Sequence, residues 1–115
     1  MAKYERHLEG DFSELLNWVH SDITRGSISA SYEDGSDYTT GSVRVAVRVY
    51  ERYSMMGKNR VSLNITLVGE GSRLFISAIS SGGSQAVFFK VNTWGESSFL
   101  DLCAESVERY ISQRR

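Results

Sequence analysis

Two adjacent glycines, Gly82 and Gly83, lie among serines in the stretch AISSGGSQAVFFK, where a phosphate-binding loop is the first chemistry to consider. Such a loop needs backbone N–H groups that converge at the start of a helix, and usually a lysine that reaches the phosphate. Here the β-branched and aromatic run AVFFKV follows, with neither a GK[ST] nor a GxGxxG pattern. The residues therefore predict a turn between two strands, because glycine supplies the positive φ of tight turns. The alternative is a flexible loop whose serines line the mouth of a pocket.

Metal-binding and nucleophilic side chains are few and widely separated. The histidines His7 and His20 and the single cysteine Cys103 have no spacing typical of a zinc site, which needs three or four ligands. Cys103 falls on the apolar stripe of a predicted helix, where it is expected to act as a small hydrophobic residue. The acidic stretch EDGSD, residues 33–37, lacks the twelve-residue pattern of an EF-hand and is predicted to be a solvated hairpin tip. We therefore expect no catalytic residue, no metal site and no cofactor.

Basic residues recur on one side of the clearest strand, SVRVAVRVYERYS. Arg44, Arg48 and Arg52 repeat every four residues, about 13 Å apart on a strand, and Tyr50 lies between two of them. Lys90 of a later strand is expected on the same face. This face is predicted to be exposed, as an ordinary solvated surface, as a surface for self-association or a protein partner, or as a single-stranded nucleic acid surface. The formal net charge of −1 makes nucleic acid an unlikely partner.

Hydrophobic periodicity gives the elements that position these residues. Residues 11–26 and 96–115 have the 3.6-residue period of amphipathic helices, while strand-like alternation dominates between them and KYERHLEG precedes them. Short Gly-containing connections, among them Asp34-Gly35 and GEGS, favour antiparallel neighbours. The pattern predicts an α+β fold: a five- or six-stranded antiparallel meander sheet with two helices, one after the first strand and one C-terminal, packed on one face.

The predicted core combines both helix stripes with one side of each central strand. In particular, the four alternate valines of residues 43–49 are expected to face the helices and leave the arginines in water. The full set is Phe12, Leu15, Leu16, Val19, Ile23, Val43, Val45, Val47, Val49, Leu63, Ile65, Leu67, Phe99, Leu102, Val107 and Ile111.

Length and composition bound the class of protein. With 115 residues, 41% hydrophobic and 23% charged, residues 1–115 are expected to form one globular domain. The start, MAKYERHLEGD, lacks the apolar region of a secretory signal, and no run is long enough to span a membrane. A lone cysteine favours a reducing compartment. These features predict a cytoplasmic location.

Several stretches resemble a family of small uncharacterised bacterial proteins from Gram-positive lineages: HLEGDFSELLNWVHSDI, SISASYEDGSDY, VRVAVRVYERYSMMG and LFISAISSGGSQAVFFK. The likeness covers nearly the whole chain and implies a class without an activity. The order of elements is also similar to helix-grip proteins, which bind apolar ligands between a helix and a curved sheet, although this chain is shorter and has fewer helices.

Three classes of function follow from these observations. The first is a non-catalytic interaction module that forms a homodimer through the face of Arg44, Arg48, Tyr50, Arg52 and Lys90. The second is a protein that binds a small apolar ligand between helices and sheet, with Trp18, Tyr32 and Tyr110 lining the pocket. The third is an enzyme, which the residue inventory supports least, since catalysis needs convergent groups in a cleft.

Overall fold

Five antiparallel strands and two helices make up the fold, seen in a computed structural model that describes residues 1–26, 30–54, 59–82 and 98–114. The strands follow the spatial order β1-β5-β4-β3-β2, and each is antiparallel to its neighbours. The elements in chain order are β1 (Ala2–Glu9), α1 (Phe12–Gly26), β2 (Ala30–Thr40), β3 (Val43–Ser54), β4 (Asn59–Glu70), β5 (Arg73–Gly82) and α2 (Ser98–Arg114).

Helix α1 begins where its sequence predicts. The Asp11 carboxylate accepts a hydrogen bond from the Glu14 backbone N–H at 2.9 Å, which satisfies one of the unpaired donors of the first turn. Four residues of its apolar stripe are buried, with Leu15 and Ile23 fully so. The helix ends at Gly26, as expected for glycine next to the last turn.

Both helices pack on one face of the sheet, and the predicted fold class is confirmed. Helix α2 buries its apolar stripe and contacts β1, β4 and β5, while α1 contacts β2, β4 and α2. Beneath them, β4 contributes Val61, Leu63, Ile65 and Leu67, and β5 contributes Leu74, Ile76 and Ala78. Predicted core residues Leu16 and Ile111 are partly buried at the margin of this cluster.

The predicted turn at Asp34-Gly35 is wrong. Strand β2 runs through it from Ala30 to Thr40, with a register shift between Tyr32 and Asp34. The chain reverses instead at Gly41, whose φ of 56° lies in the left-handed region. The EDGSD segment is therefore part of an edge strand, because pairing with β3 continues past the Asp-Gly dipeptide. The GEGS turn is confirmed, with Gly71 at a φ of 61°.

The predicted orientation of β3 is also wrong. Ala46 and Tyr50 are buried against the helices, and the four valines lie half-buried on the opposite side of the sheet. The cause is register, since the β3–β4 pairing sets Arg48 opposite Ile65 and Val47 opposite Thr66. Residues directly opposite one another in an antiparallel pair share a face, so the inward set on β4 dictates the inward set on β3. A one-residue slip would exchange the two sides of β3.

Some predictions fall outside the described residues. These are the strand at 86–91, Lys90, and the turn that would follow Gly82. The likeness to helix-grip proteins and the single-domain organisation stay predictions. Within the described ranges, no helix is both long and apolar enough to cross a lipid bilayer.

Candidate interaction surfaces

One side of the sheet, here called the open face, lies opposite both helices. One row of mutually paired residues crosses it through all five strands: Tyr38, Val45, Val68, Phe75 and His7. At one end of the row the rings of His7 and Phe75 are in contact, with centroids 4.7 Å apart. The row is therefore largely apolar on the side of the sheet opposite the two described helices.

A column of valines crosses this row along β3. Val43, Val45, Val47 and Val49 are half-buried by their sheet neighbours. Around them, Tyr38 is 63% exposed and Ile79 is 39% exposed. An apolar row and column on one side of a sheet are unusual for a solvated surface, where alternation normally places polar residues. The open face is the first candidate interaction surface.

The arginine row predicted to be exposed lies on the helix side. The Arg44 guanidinium lies 4.2 Å from the centroid of the Phe12 ring, and its Nη1 donates to the Ser13 hydroxyl at 3.4 Å. The Arg52 guanidinium lies 4.8 Å from the centroid of the Phe99 ring, and burial lowers its pKa from the ordinary value. Long arginine side chains cover the edges of the core in this way because their stems are apolar.

The two predicted face residues between them are held by internal partners. Arg48 is 18% exposed and pairs with Asp37 at 3.0 Å, and its Nη1 donates to the Val47 carbonyl at 2.9 Å. Tyr50 is 1% exposed and shares a hydrogen bond of 2.8 Å with Nδ1 of His20. Burial also raises the pKa of the Tyr50 hydroxyl above its usual range. The predicted exposed face is thus wrong for these residues, because the β3–β4 register turns them towards the helices.

The three residues predicted to line a pocket separate into two groups. Trp18 and Tyr110 meet edge to face, with centroids 5.7 Å apart. Tyr32 packs instead against His20 and Tyr50, at centroid distances of 5.5 Å and 5.7 Å. Trp18 and Tyr110 line a groove of about 680 Å³ between α1 and α2, here called the helix groove. The helix groove lies between the two helices, and none of the described strands contributes to its lining.

Polar contacts fix α2 against its neighbours. The Tyr4 hydroxyl of β1 donates to the Glu108 carboxylate at 2.6 Å, and Arg6 Nε donates to the same oxygen at 2.9 Å. Burial and the Glu108 carboxylate together raise the pKa of Tyr4. On the other side, the Asp22 carboxylate of α1 accepts from the Ser106 hydroxyl at 2.6 Å and from Arg109 at 2.7 Å. These contacts hold the helices in place.

Cys103 is fully buried in α2, as its position on the apolar stripe predicts. Burial raises the pKa of its thiol to about 12, so the thiol stays protonated at neutral pH and is a poor nucleophile. The ranges that the structure describes contain no group of three or more His, Cys, Asp or Glu side chains placed to hold a metal ion.

Fold and surface together define a small α+β domain in which an open antiparallel sheet carries two helices on one side. Residues 1–111 match a family of unknown function (DUF6054), and the chain belongs to this family. No curated protein matches the chain.

A solved structure, that of the protein TTHA0849 from Thermus thermophilus, is similar in outline. It shares 10% sequence identity with this chain, and the alignment covers 98% of this chain and 94% of that one. The TM-score of 0.36 is too low for this likeness to bear on fold or function.

Sequence reasoning missed the open face because it assigned the valines to the core. Both sides of β3 contain residues that a core can accept, so alternation alone does not choose between them. The register of β3 against β4 decides which side of β3 shares a face with the apolar side of β4. Reading that register from the sequence requires knowing that Ser54 pairs with Asn59. The composition of the turn does not reveal that pairing.

Proposed function

We propose that the protein is a non-catalytic interaction module and that a second copy of the chain packs against its open face. The observation that carries this proposal is the apolar row and valine column on the side of the sheet opposite α1 and α2. Two stacked sheets bury such faces at a separation of about 10 Å, as in β-sandwiches.

The charge distribution on the open face supports an interface. Its apolar row and valine column are bordered at one end by Glu9, Glu70 and Arg73, and near the other by Lys3 and Asp34. Ser62, Asn64 and Thr66 of β4 lie between them on the same face. Non-obligate protein interfaces mix apolar and polar area in this way and have a polar rim. The mixed rim favours a partner with the same mixed rim, and a second copy satisfies this condition.

The size of the open face is also adequate. Five strands about 4.8 Å apart, with about nine residues each at about 3.3 Å, span about 24 Å by 30 Å, or about 700 Å² of planar area. A stable dimer of standard size buries about 800 Å² of accessible surface per partner. Because side chains roughen the plane, the accessible area of the face exceeds its planar area and meets this requirement.

The proposed two-fold axis runs along β4 in the interface. This axis sets β1 of one copy over β2 of the other, since these strands lie equally far from β4. Lys3 and Asp34 end the same cross-strand row, so Lys3 of each copy faces Asp34 of the other. By the same symmetry, His7 faces Tyr38. The arrangement is thus isologous and closes at two chains.

Sedimentation velocity over a concentration series tests the proposal. The wild-type chain is expected to sediment as a dimer, and Val47→Glu as a monomer, because the symmetry places two buried carboxylates in one interface. Thr39→Glu is the matched control, since Thr39 is exposed on the other side of the sheet, opposite Arg44. A wild type that remains monomeric at high concentration, or a Val47→Glu variant that still dimerises, contradicts the proposal.

Charge exchange tests the axis separately from self-association. Lys3→Glu and Asp34→Lys are each expected to weaken the dimer, and the double variant to recover affinity, because the exchanged pair is again opposite in charge. A double variant weaker than both single variants contradicts the proposed axis while leaving self-association intact.

The location proposed for this module is the cytoplasm of a Gram-positive bacterium. The single, buried Cys103 suits a reducing compartment, and the likeness in sequence supplies the lineage. Fractionation of cells that express the protein checks the location, and recovery in the culture medium contradicts it.

A further inference from the structure

The helix groove is a second surface, separate from the open face. It is formed by one stripe of α1, which includes Glu14, Trp18 and Arg25, and by the last two turns of α2, which include Tyr110 and Arg114. The helices lie on one side of the sheet and the open face on the other, so a ligand in the groove does not compete with a second copy of the chain. Its volume of about 680 Å³ is in the range of small-molecule sites.

Two aromatic rings in the groove are fixed by hydrogen bonds. The Trp18 indole N–H donates to the Ser106 carbonyl at 2.8 Å. The Tyr110 hydroxyl accepts from the Asp11 backbone N–H at 3.0 Å and donates to the Glu14 carboxylate at 3.2 Å. Rings held in this way lose little conformational entropy when a ligand packs against them. Tyr110 is 4% exposed and the Arg114 guanidinium lies over its ring, so it supports the groove from below. Trp18 is half-buried and is the ring that a planar apolar group can contact.

Among the described residues of the groove, each charged group except Arg25 has an ion-pair partner. Glu14 pairs with Arg114 at 3.4 Å, and Asp22 pairs with Arg109 at 2.7 Å. Arg25, at the end of the same groove, is exposed and has no ion-pair or hydrogen-bond partner among the described residues. A guanidinium presents two parallel N–H donors that match a carboxylate.

We infer that the helix groove binds a small aromatic carboxylate, with its ring against Trp18 and its carboxylate on Arg25. The ring contact supplies affinity, and Arg25 selects the charged ligand over a neutral one of the same shape. This inference goes beyond the proposed function, because self-association uses the opposite side of the sheet.

Titration of the ¹⁵N-labelled chain with benzoate and with benzamide, followed by NMR, tests the inference. Benzoate is expected to shift the Trp18 indole N–H resonance with a Kd of about 1 mM, a typical affinity for a fragment of this size. Benzamide has nearly the same shape without the charge and is expected to bind at least about fivefold more weakly. A Trp18→Phe variant assigns the indole resonance, since the chain contains two tryptophans.

Two variants separate selection by Arg25 from a general effect of charge. Arg25→Gln is expected to remove the preference for benzoate, and both ligands then bind alike. Arg60→Gln is the matched control, because Arg60 is exposed on β4 and pairs with Glu51, away from the groove. The inference is overturned if benzoate leaves the Trp18 resonance unmoved, if benzamide binds as well as benzoate, or if Arg25→Gln retains the preference.

Discussion

The orientation of β3 can be tested by placing the same residue at two adjacent positions. Ala46→Thr puts a larger, polar side chain at a position that is 0% exposed. Val47→Thr puts the same side chain on the open face, where Val47 is half-buried beside Thr66. Threonine is β-branched and fits a strand, so neither variant suffers from poor strand propensity.

The expected costs differ severalfold. At position 46, overpacking costs about 1–3 kcal/mol, and a buried hydroxyl without a partner costs about 1–3 kcal/mol more. At position 47 the change is worth about 0.5 kcal/mol, as for most substitutions at a solvated surface. Unfolding entropy of about 2.1 cal/mol/K per residue converts 2–6 kcal/mol into a fall in Tm of about 8–25 °C for the first variant and about 2 °C for the second.

Urea unfolding followed by circular dichroism measures both free energies, at a concentration low enough to keep the chain monomeric. Ala46→Ser, which adds only the hydroxyl, keeps the comparison measurable if Ala46→Thr fails to fold. A Val47→Thr variant that loses more stability than Ala46→Ser would refute the orientation of β3, and with it the open face.

Three further predictions concern buried polar groups. The free energy of unfolding is expected to fall as the pH rises above about 9. Burial raises the folded-state pKa of Tyr4, Tyr50 and Cys103 above their unfolded values, so the unfolded chain loses these protons first. Urea titrations from about pH 8 to about pH 11 measure the fall, and the Tyr50→Phe variant should make it less steep. The same Tyr50→Phe variant is expected to lose about 0.5–1.5 kcal/mol at pH 7 with its hydrogen bond to His20, and an unchanged urea midpoint would show that this bond contributes nothing. Cys103 is expected to react with a thiol reagent at about pH 8 only as fast as the chain unfolds, whereas rapid labelling of the native chain would place the thiol at the surface.

The two helices could be predicted mostly from local sequence patterns. Asp11 caps the start of α1 by chemistry that acts within a few residues, and Gly26 ends the helix. The fold class followed from the same kind of information, because the change from helical to alternating periodicity is visible in the sequence. Strand β4 was also predicted correctly, since only one of its sides is strongly apolar.

The candidate surfaces could not be predicted in the same way. The sequence suggested Trp18 and Tyr110 as neighbours, but their groove depends on how α1 lies against α2. The availability of Arg25 depends on Arg109 and Arg114 having taken the nearby carboxylates. These are contacts between residues far apart in the chain, and local patterns do not encode them.

The sequence by itself determined two amphipathic helices, the capped start of α1, a set of antiparallel strands and a buried, unreactive cysteine. Only the tertiary structure decided which side of β3 faces the helices, and therefore that the valines rather than the arginines form the open face. The physical reason is that alternation shows which residues of a strand share a side. It does not show which side faces the core when both sides contain residues that a core can accept. Pairing with a neighbour whose inward side is unambiguous, here β4, makes the choice.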